Sequence, residues 1–197
     1  MDVPEVTGDL DQLRSLDRQI TFAAARALTA TAKEAQQASI NAIEQTFTTR
    51  GPWYLPGNKL GVRITPATKQ NLEAAVHTDA DFLKLHETSG TKTPKGSHLA
   101  IPTRNVRHTP RQTIQRPQRP KNLKRTFVVK TKKGTRIIFQ RAGKGKRSDD
   151  MRAMYILEPR ARIRKESTVI GPTVKVVERR FGQNFQKAFG EALATAK

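Results

Sequence analysis

Apolar positions recur at helical spacing through the N-terminal part of the chain. Leu10, Leu13, Leu16, Ile20, Ala24, Ala27 and Thr31 form one stripe, and Leu28, Ala32, Ala35, Ser39, Ile43 and Phe47 continue a shifted one. Neither Gly nor Pro occurs from Asp9 to Arg50, so the pattern predicts one helix, capped by Thr7 or Asp9 and stopped at Gly51-Pro52. At about 1.5 Å per residue such a helix is roughly 60 Å long. Between Gln19 and Ile43 only Arg26, Lys33 and Glu34 are charged, and Ala is frequent. Small, uncharged side chains let another helix come close. Two readings follow. One compact core of this size could hardly cover the helix on all sides, which makes Ala24, Ala27, Leu28, Thr31, Ala35, Ile43 and Phe47 the candidate contact with a second subunit. The other reading is a plain amphipathic core helix with a bend.

Beyond the turn cluster "GPWYLPG", where Trp53 and Tyr54 are expected to close over the core, the period changes. "KLGVRIT" alternates through Leu60, Val62 and Ile64, and "NLEAAVHT" alternates through Leu72, Ala74 and Val76; both read as strands. "DFLKLHE" reads as a short helix or a strand end. From Thr88 to Lys124 Gly, Pro, Thr and Arg dominate, and only "HLAIP" and "NVR" look ordered, so residues 88–124 are expected to form a long basic arm or loop. "RTFVVKTKKGTRIIFQR" then predicts a hairpin turning at Lys133-Gly134. "MRAMYILEP" is apolar on both faces and reads as a central strand. In "RARIR", extended backbone puts Arg160, Arg162 and Arg164 on one side. Pro172 suits a first helical turn, and Val174, Val177, Phe181, Phe185, Ala188 and Ala192 mark a C-terminal amphipathic helix. The fold class expected is α+β in a single domain over residues 1–197: long N-terminal helix, mostly antiparallel sheet with a hairpin, basic arm, C-terminal helix. A chain of 197 residues can bury about 70% of its unfolded surface in such a domain.

Charge changes the picture because it is unevenly spread. The net charge is +20, yet residues 1–50 carry −2, residues 51–100 carry +2, residues 101–150 carry +14 and residues 151–197 carry +6. The peak falls on the Pro-rich stretch holding Arg104, Arg107, Arg111, Arg116, Arg119, Lys121, Lys124 and Arg125. A second group comprises Lys144, Lys146 and Arg147 in a polar loop, with Arg160, Arg162 and Arg164 after it. Such asymmetry points to a polyanion or to an acidic protein surface as a neighbour. The bias towards Arg favours planar pairing with carboxylate or phosphate. Between Tyr54 and Phe127 the only Phe, Tyr or Trp is Phe82, so base-stacking platforms are missing and single-strand reading is poorly supported.

The chain has no Cys, which removes disulfides, thiolate metal sites and Cys nucleophiles. "MDVPEVTGDL" lacks an apolar signal segment and no run approaches a membrane span, so a soluble protein with no membrane partner is expected. "RAGKGKRSDD" fails as a phosphate loop: the first Gly is replaced by Gln140, and Arg147 stands where Ser or Thr should follow Lys146. His77, Asp79, Asp81, His86 and Glu87 gather without any standard zinc spacing, and a turn between two ordered pieces explains them as well. No nucleophile elbow or paired catalytic carboxylate stands out, so neither an enzyme nor a cofactor is expected.

The order of features has a precedent. An Ala-rich first helix ("ITFAAARALTATAKEAQQA") is followed by "FTTRG", a strand pair, "HLAIPT", "FVVKTKKGTRIIFQRAGKGKR", "MYILEPRARI" and an amphipathic end. This layout resembles the minor tail protein Z family of lambda-type tailed bacteriophages and related tail completion and neck proteins. The hairpin from Phe127 to Arg141 is its most telling part. The resemblance implies a structural virion protein, assembled in the bacterial cytoplasm. It implies a ring, sixfold, at the head-proximal end of the tail that completes the tail or joins it to the head. Implied partners are further copies of the chain, a tail terminator or tail-tube protein, head connector or neck proteins, and genome DNA in the lumen. The competing reading is a basic nucleic-acid-binding protein, ribosome- or DNA-associated, without catalysis. That reading explains the charge but gives no use for the Ala-rich helix.

Overall fold

In a computed structural model the described residues are 4–142 and 150–195, with side chains from Arg14 onward. The chain is α+β and divides into two compact units. One takes in the residues up to Glu87 together with those from Glu166, and the other is Thr88–Lys165.

The first unit is built on two long helices. Helix α1 spans Pro4–Thr46 and helix α3 spans Ile170–Thr195. The start of α1 corrects the expected cap at Thr7 or Asp9. Pro4 stands at the first helical position, where a missing N–H costs nothing, and Gly8 is tolerated within the helix. The two helices run antiparallel. Arg26 pairs with Glu191 (2.8 Å), Asn184 donates to Thr31 (3.0 Å), Arg180 donates to Glu34 (2.7 Å), and Ser39 lies beside Thr173 (3.5 Å). Ala23 and Ala27 of α1 meet Ala188 and Ala192 of α3, and Phe22, Phe181, Phe185 and Phe189 pack around them. The Ala residues bring the backbones together and the rings fill the flanks; Phe185 and Phe189 stack with centroids 5.9 Å apart.

Beyond this seam lies the unit's other apolar cluster. Ile40, Ile43, Tyr54, Val62, Ala80, Leu83 and Val169 are its buried members, with Phe47, Trp53, Leu60 and Val76 against them. Strands β1 (Arg63–Thr65) and β2 (Ala75–His77) form a short antiparallel pair, and helix α2 covers Asp81–Thr88. Trp53 and Tyr54 close over this cluster as expected, Trp53 meeting Phe82 edge-on at 4.9 Å. The turn that brings them there requires Gly61. A Cβ at Gly61 would stand 1.9 Å from the carbonyl oxygen of Leu55.

The second unit is a four-stranded antiparallel sheet. Strands β4 (Leu99–Pro102), β7 (Met151–Glu158), β6 (Arg136–Arg141) and β5 (Thr126–Lys130) lie in that order across it. The expected central strand is therefore β7, and the expected hairpin is β5–β6, with Phe127 paired to Phe139. Gly134 takes φ +86° in the turn, a conformation that favours Gly. A separate pair joins β3 (Gly90–Lys92) to β8 (Ala161–Ile163). The unit's core is Val106, Met154 and Tyr155, with Ala100, Ile114, Leu123 and Ile138 packed on it. Among the described residues no helix is long and apolar enough to cross a membrane.

Candidate assembly surfaces

Residues 104–125 hold the densest charge, and three apolar side chains set their shape. Val106 is 3% exposed, and Ile114 and Leu123 are half-buried in the same cluster. They pin the segment to the sheet at intervals. The polar backbone between the pins is bonded locally. His108 and Ile114 form an isolated bridge, Gln115 N–H donates to Arg107 O (3.2 Å), and Thr109 N–H donates to Thr113 O (2.7 Å). Arg116–Gln118 makes one 3-10 turn, and Asn122 Nδ2 donates to Arg116 O (2.7 Å). The Tyr155 hydroxyl donates to Gln118 O (2.7 Å), and burial pushes its pKa upward. The Gln118 side chain accepts from the Arg107 N–H. The segment is therefore folded onto its own sheet instead of projecting from it as an extended arm. It is a loop with a buried lining and a charged outer surface.

That outer surface carries the predicted cations. Arg104, Arg107, Arg111, Arg116, Arg119, Lys121, Lys124 and Arg125 are all exposed. Among the described residues no carboxylate lies within ion-pair distance of Arg104, Arg107, Arg111, Arg116, Arg119, Lys121 or Lys124, whereas Arg26, Arg63, Arg152 and Arg180 each form an ion pair. Among the described residues these seven cations do not fold back onto the chain's own acids. Arg160, Arg162 and Arg164 keep their expected alternation along β8: all three are exposed, while Ala161 and Ile163 between them are half-buried. Lys144, Lys146 and Arg147 lie outside the described residues.

The α1 residues expected at a subunit contact need a correction. Ala27, Ala35 and Ile43 have no exposed surface and Thr31 has 3%, so their own chain already covers them. Helix α3 returns far along the sequence to occupy the Ala-rich face, and the cluster around Tyr54 and Leu83 takes Ile43. The close approach that small side chains permit is real, but it is used within the chain. Ala24, Leu28 and Phe47 remain partly exposed. The large apolar side chains open to solvent on these helices, among the described residues, are Leu16 and Ile20 on α1 and Ile170, Val174, Val177 and Leu193 on α3.

Three members of the acidic and His cluster around α2, Asp79, His86 and Glu87, take structural roles. Arg63 pairs with Asp79, and His86 packs edge-on against Phe47 with centroids 4.9 Å apart. The Glu87 carboxylate caps α3. It accepts from the N–H groups of Thr168 (2.6 Å), Val169 (2.8 Å) and Ile170 (3.2 Å), and from the hydroxyls of Thr168 (3.1 Å) and Ser167 (3.3 Å). Sequence reasoning grouped Glu87 with the wrong neighbours, because its partners lie some eighty positions away. Among the described residues no group of His, Cys, Asp and Glu is placed to hold a metal ion.

The family comparison decides between a tail protein and a free nucleic-acid binder. A family model described as prophage minor tail protein Z (GPZ) matches residues 7–195. The chain belongs to the prophage minor tail protein Z family. Neither a curated protein nor a solved structure matches it. As a minor tail protein Z it is a phage tail protein, and its contacts are with other virion components. The α+β layout of this minor tail protein, with a long first helix, antiparallel sheets and a last helix, is the one the sequence pattern predicts.

Proposed function

We propose that this minor tail protein is a structural assembly protein that closes the head-proximal end of the tail as a homo-oligomeric ring, sixfold, and joins the tail to the head or neck. The observation that carries the reading is the loop 104–125: a preformed surface of exposed cations, of which Arg104, Arg107, Arg111, Arg116, Arg119, Lys121 and Lys124 have no acidic partner among the described residues. Fixed charges on a folded loop suit a fixed acidic neighbour, setting register by charge complementarity. That neighbour is a tail terminator or tail-tube subunit, a connector protein of the head, or the next copy in the ring. Since the Ala face of α1 is already covered, the contact between copies is assigned to the open apolar residues of the helix pair, Leu16 and Ile20 with Ile170, Val174 and Val177. Many copies engaging at once make strong assembly from weak contacts.

Genome DNA in the lumen is the second partner proposed. The exposed Arg residues favour it, since each phosphate neutralised releases a counterion and affinity falls steeply with salt. Filter binding across a salt series measures that slope. The test of the main reading is deletion of the gene in the parent phage, followed by microscopy and titration of the lysate. The expected result is heads and tails that accumulate unjoined, or tails that are defective; normal infectious particles would overturn it. Size-exclusion with light scattering and negative-stain microscopy of the purified protein look for the ring itself.

A further inference from the structure

The sheet of the second unit ends in two edge strands that are not equivalent. On β4, Thr103 N–H donates to Met154 O (2.9 Å). Antiparallel ladders alternate, so Ile101 and Leu99 also bond to β7, and Ala100 and Pro102 face outward. Pro102 has no N–H to offer. This edge is blunted in the way edge strands commonly are.

The β5 edge is not blunted by proline. At one end Arg141 N–H donates to Arg125 O (3.1 Å), and at the other Thr131 N–H donates to Thr135 O (2.8 Å). The alternation between those bonds gives Phe127 and Val129 to β6. It leaves the N–H and C=O groups of Thr126, Val128 and Lys130 pointing away from the sheet. Among the described residues no hydrogen bond reaches them. Val128 is 57% exposed, the most open of the large apolar side chains in the described structure, and Val129 is 39% exposed. An open strand edge with apolar side chains is a template for one more strand.

Charge selects what that strand can be. Lys124, Lys130 and Lys132 are exposed along and beside β5, and none has a carboxylate within ion-pair distance among the described residues. A second copy of β5 pairing antiparallel about Val128 would bring two sets of Lys124, Lys130 and Lys132 together along one edge, with no acidic residue from Lys124 to Lys133 to offset them, and like charges close across strands repel. Self-pairing is thus opposed, and an acidic strand is favoured on the same geometry. We infer that the Thr126–Lys130 edge is a docking site for an extended segment of a different protein, alternating apolar and acidic residues, which adds to the sheet as a fifth strand. This goes beyond the ring reading, since a monomer would carry the same edge.

The test uses the full chain and a synthetic peptide of alternating Glu and Val, with a peptide of alternating Lys and Val beside it. Amide exchange is followed residue by residue by NMR. The expected result is that the Glu-containing peptide binds and slows exchange at Thr126, Val128 and Lys130, while the Lys-containing peptide does not bind. Val128→Pro removes an outward donor without touching the β5–β6 ladder and should weaken binding at least tenfold. Lys130→Glu keeps the strand and should weaken it by several-fold, so a folding defect in the proline variant would leave the proposal open to refutation. Equal binding of both peptides, or binding of neither, would overturn it. So would protection of these amides that grows with protein concentration when no peptide is present, because that is self-pairing.

Discussion

The Glu87 carboxylate sits 2.6 Å from the Thr168 amide nitrogen, and with it stops the open end of α3. The first N–H groups of a helix have no partner within the helix, and the positive end of its dipole favours an anion. One carboxylate therefore ties α2 to the start of α3 across a large sequence separation. Glu87→Gln keeps the shape but turns a donor towards donors and removes the charge. The expected loss is about 1–2 kcal/mol, and for Glu87→Ala about 2–3 kcal/mol, because buried amides are then left unpaired. Urea denaturation of each variant measures this. Both variants matching the parent midpoint would refute the capping role.

Farther along the same helix pair, Glu34 predicts a pH dependence. The hydrogen bond from Arg180 holds its carboxyl below the usual value of 4.5, with help from Asn184. A depressed folded-state pKa gives stability that is present above pH 4.5 and lost as pH falls below it through the folded value. Both side chains are partly exposed, so the pair contributes less than about 1 kcal/mol. Arg180→Met should lower the urea midpoint slightly at pH 7 and leave it closer to the parent's at pH 3. A gap between the two proteins that is as wide in acid as at neutrality would rule the ion pair out as its source.

Gly61 and the Ala seam predict intolerance to size. Gly61→Ala places a methyl group against backbone, where no flexible side chain can give way, and should cost about 1–3 kcal/mol. Ala27→Leu and Ala192→Leu should each cost a similar amount, about 1–3 kcal/mol, because both sites are fully buried between α1 and α3. Ala30→Leu, on an exposed position of the same helix, should change stability by less than about 0.5 kcal/mol. Thermal unfolding followed by circular dichroism separates Ala30→Leu from the other three variants, and an Ala30→Leu variant as damaged as Ala27→Leu would contradict the packing.

Local rules located the four-stranded sheet but missed β3, Gly90–Lys92, which lies in the stretch read as a loop and is held by the distant β8. Period-2 alternation and a Lys133-Gly134 turn located β5 and β6, and the two-faced apolar run of Met151–Glu158 located the middle of the sheet. Apart from the start of α1, the failures are of one kind. The Ala stripe of α1 announced a close helix neighbour but not which one, and the neighbour proved to be α3 of the same chain. Val106, Ile114 and Leu123 are three isolated apolar residues in a stretch otherwise rich in Pro and Arg; no period links them, because the loop that buries them is irregular. Glu87 looked like part of a local acidic cluster, since nothing nearby in sequence points to Thr168. Each of these misses concerns a contact between segments far apart in the chain.

The central claim is that the cations of the loop 104–125 act between proteins and not within the fold. Replacing Arg107, Arg111, Arg116 and Arg119 together by Glu tests it most directly, in a phage lacking the gene and supplied with the variant in trans. The account predicts an unfolding midpoint close to the parent's, with infectious titre reduced at least a hundredfold and tails that fail to join heads. Full infectivity from the folded variant would contradict it.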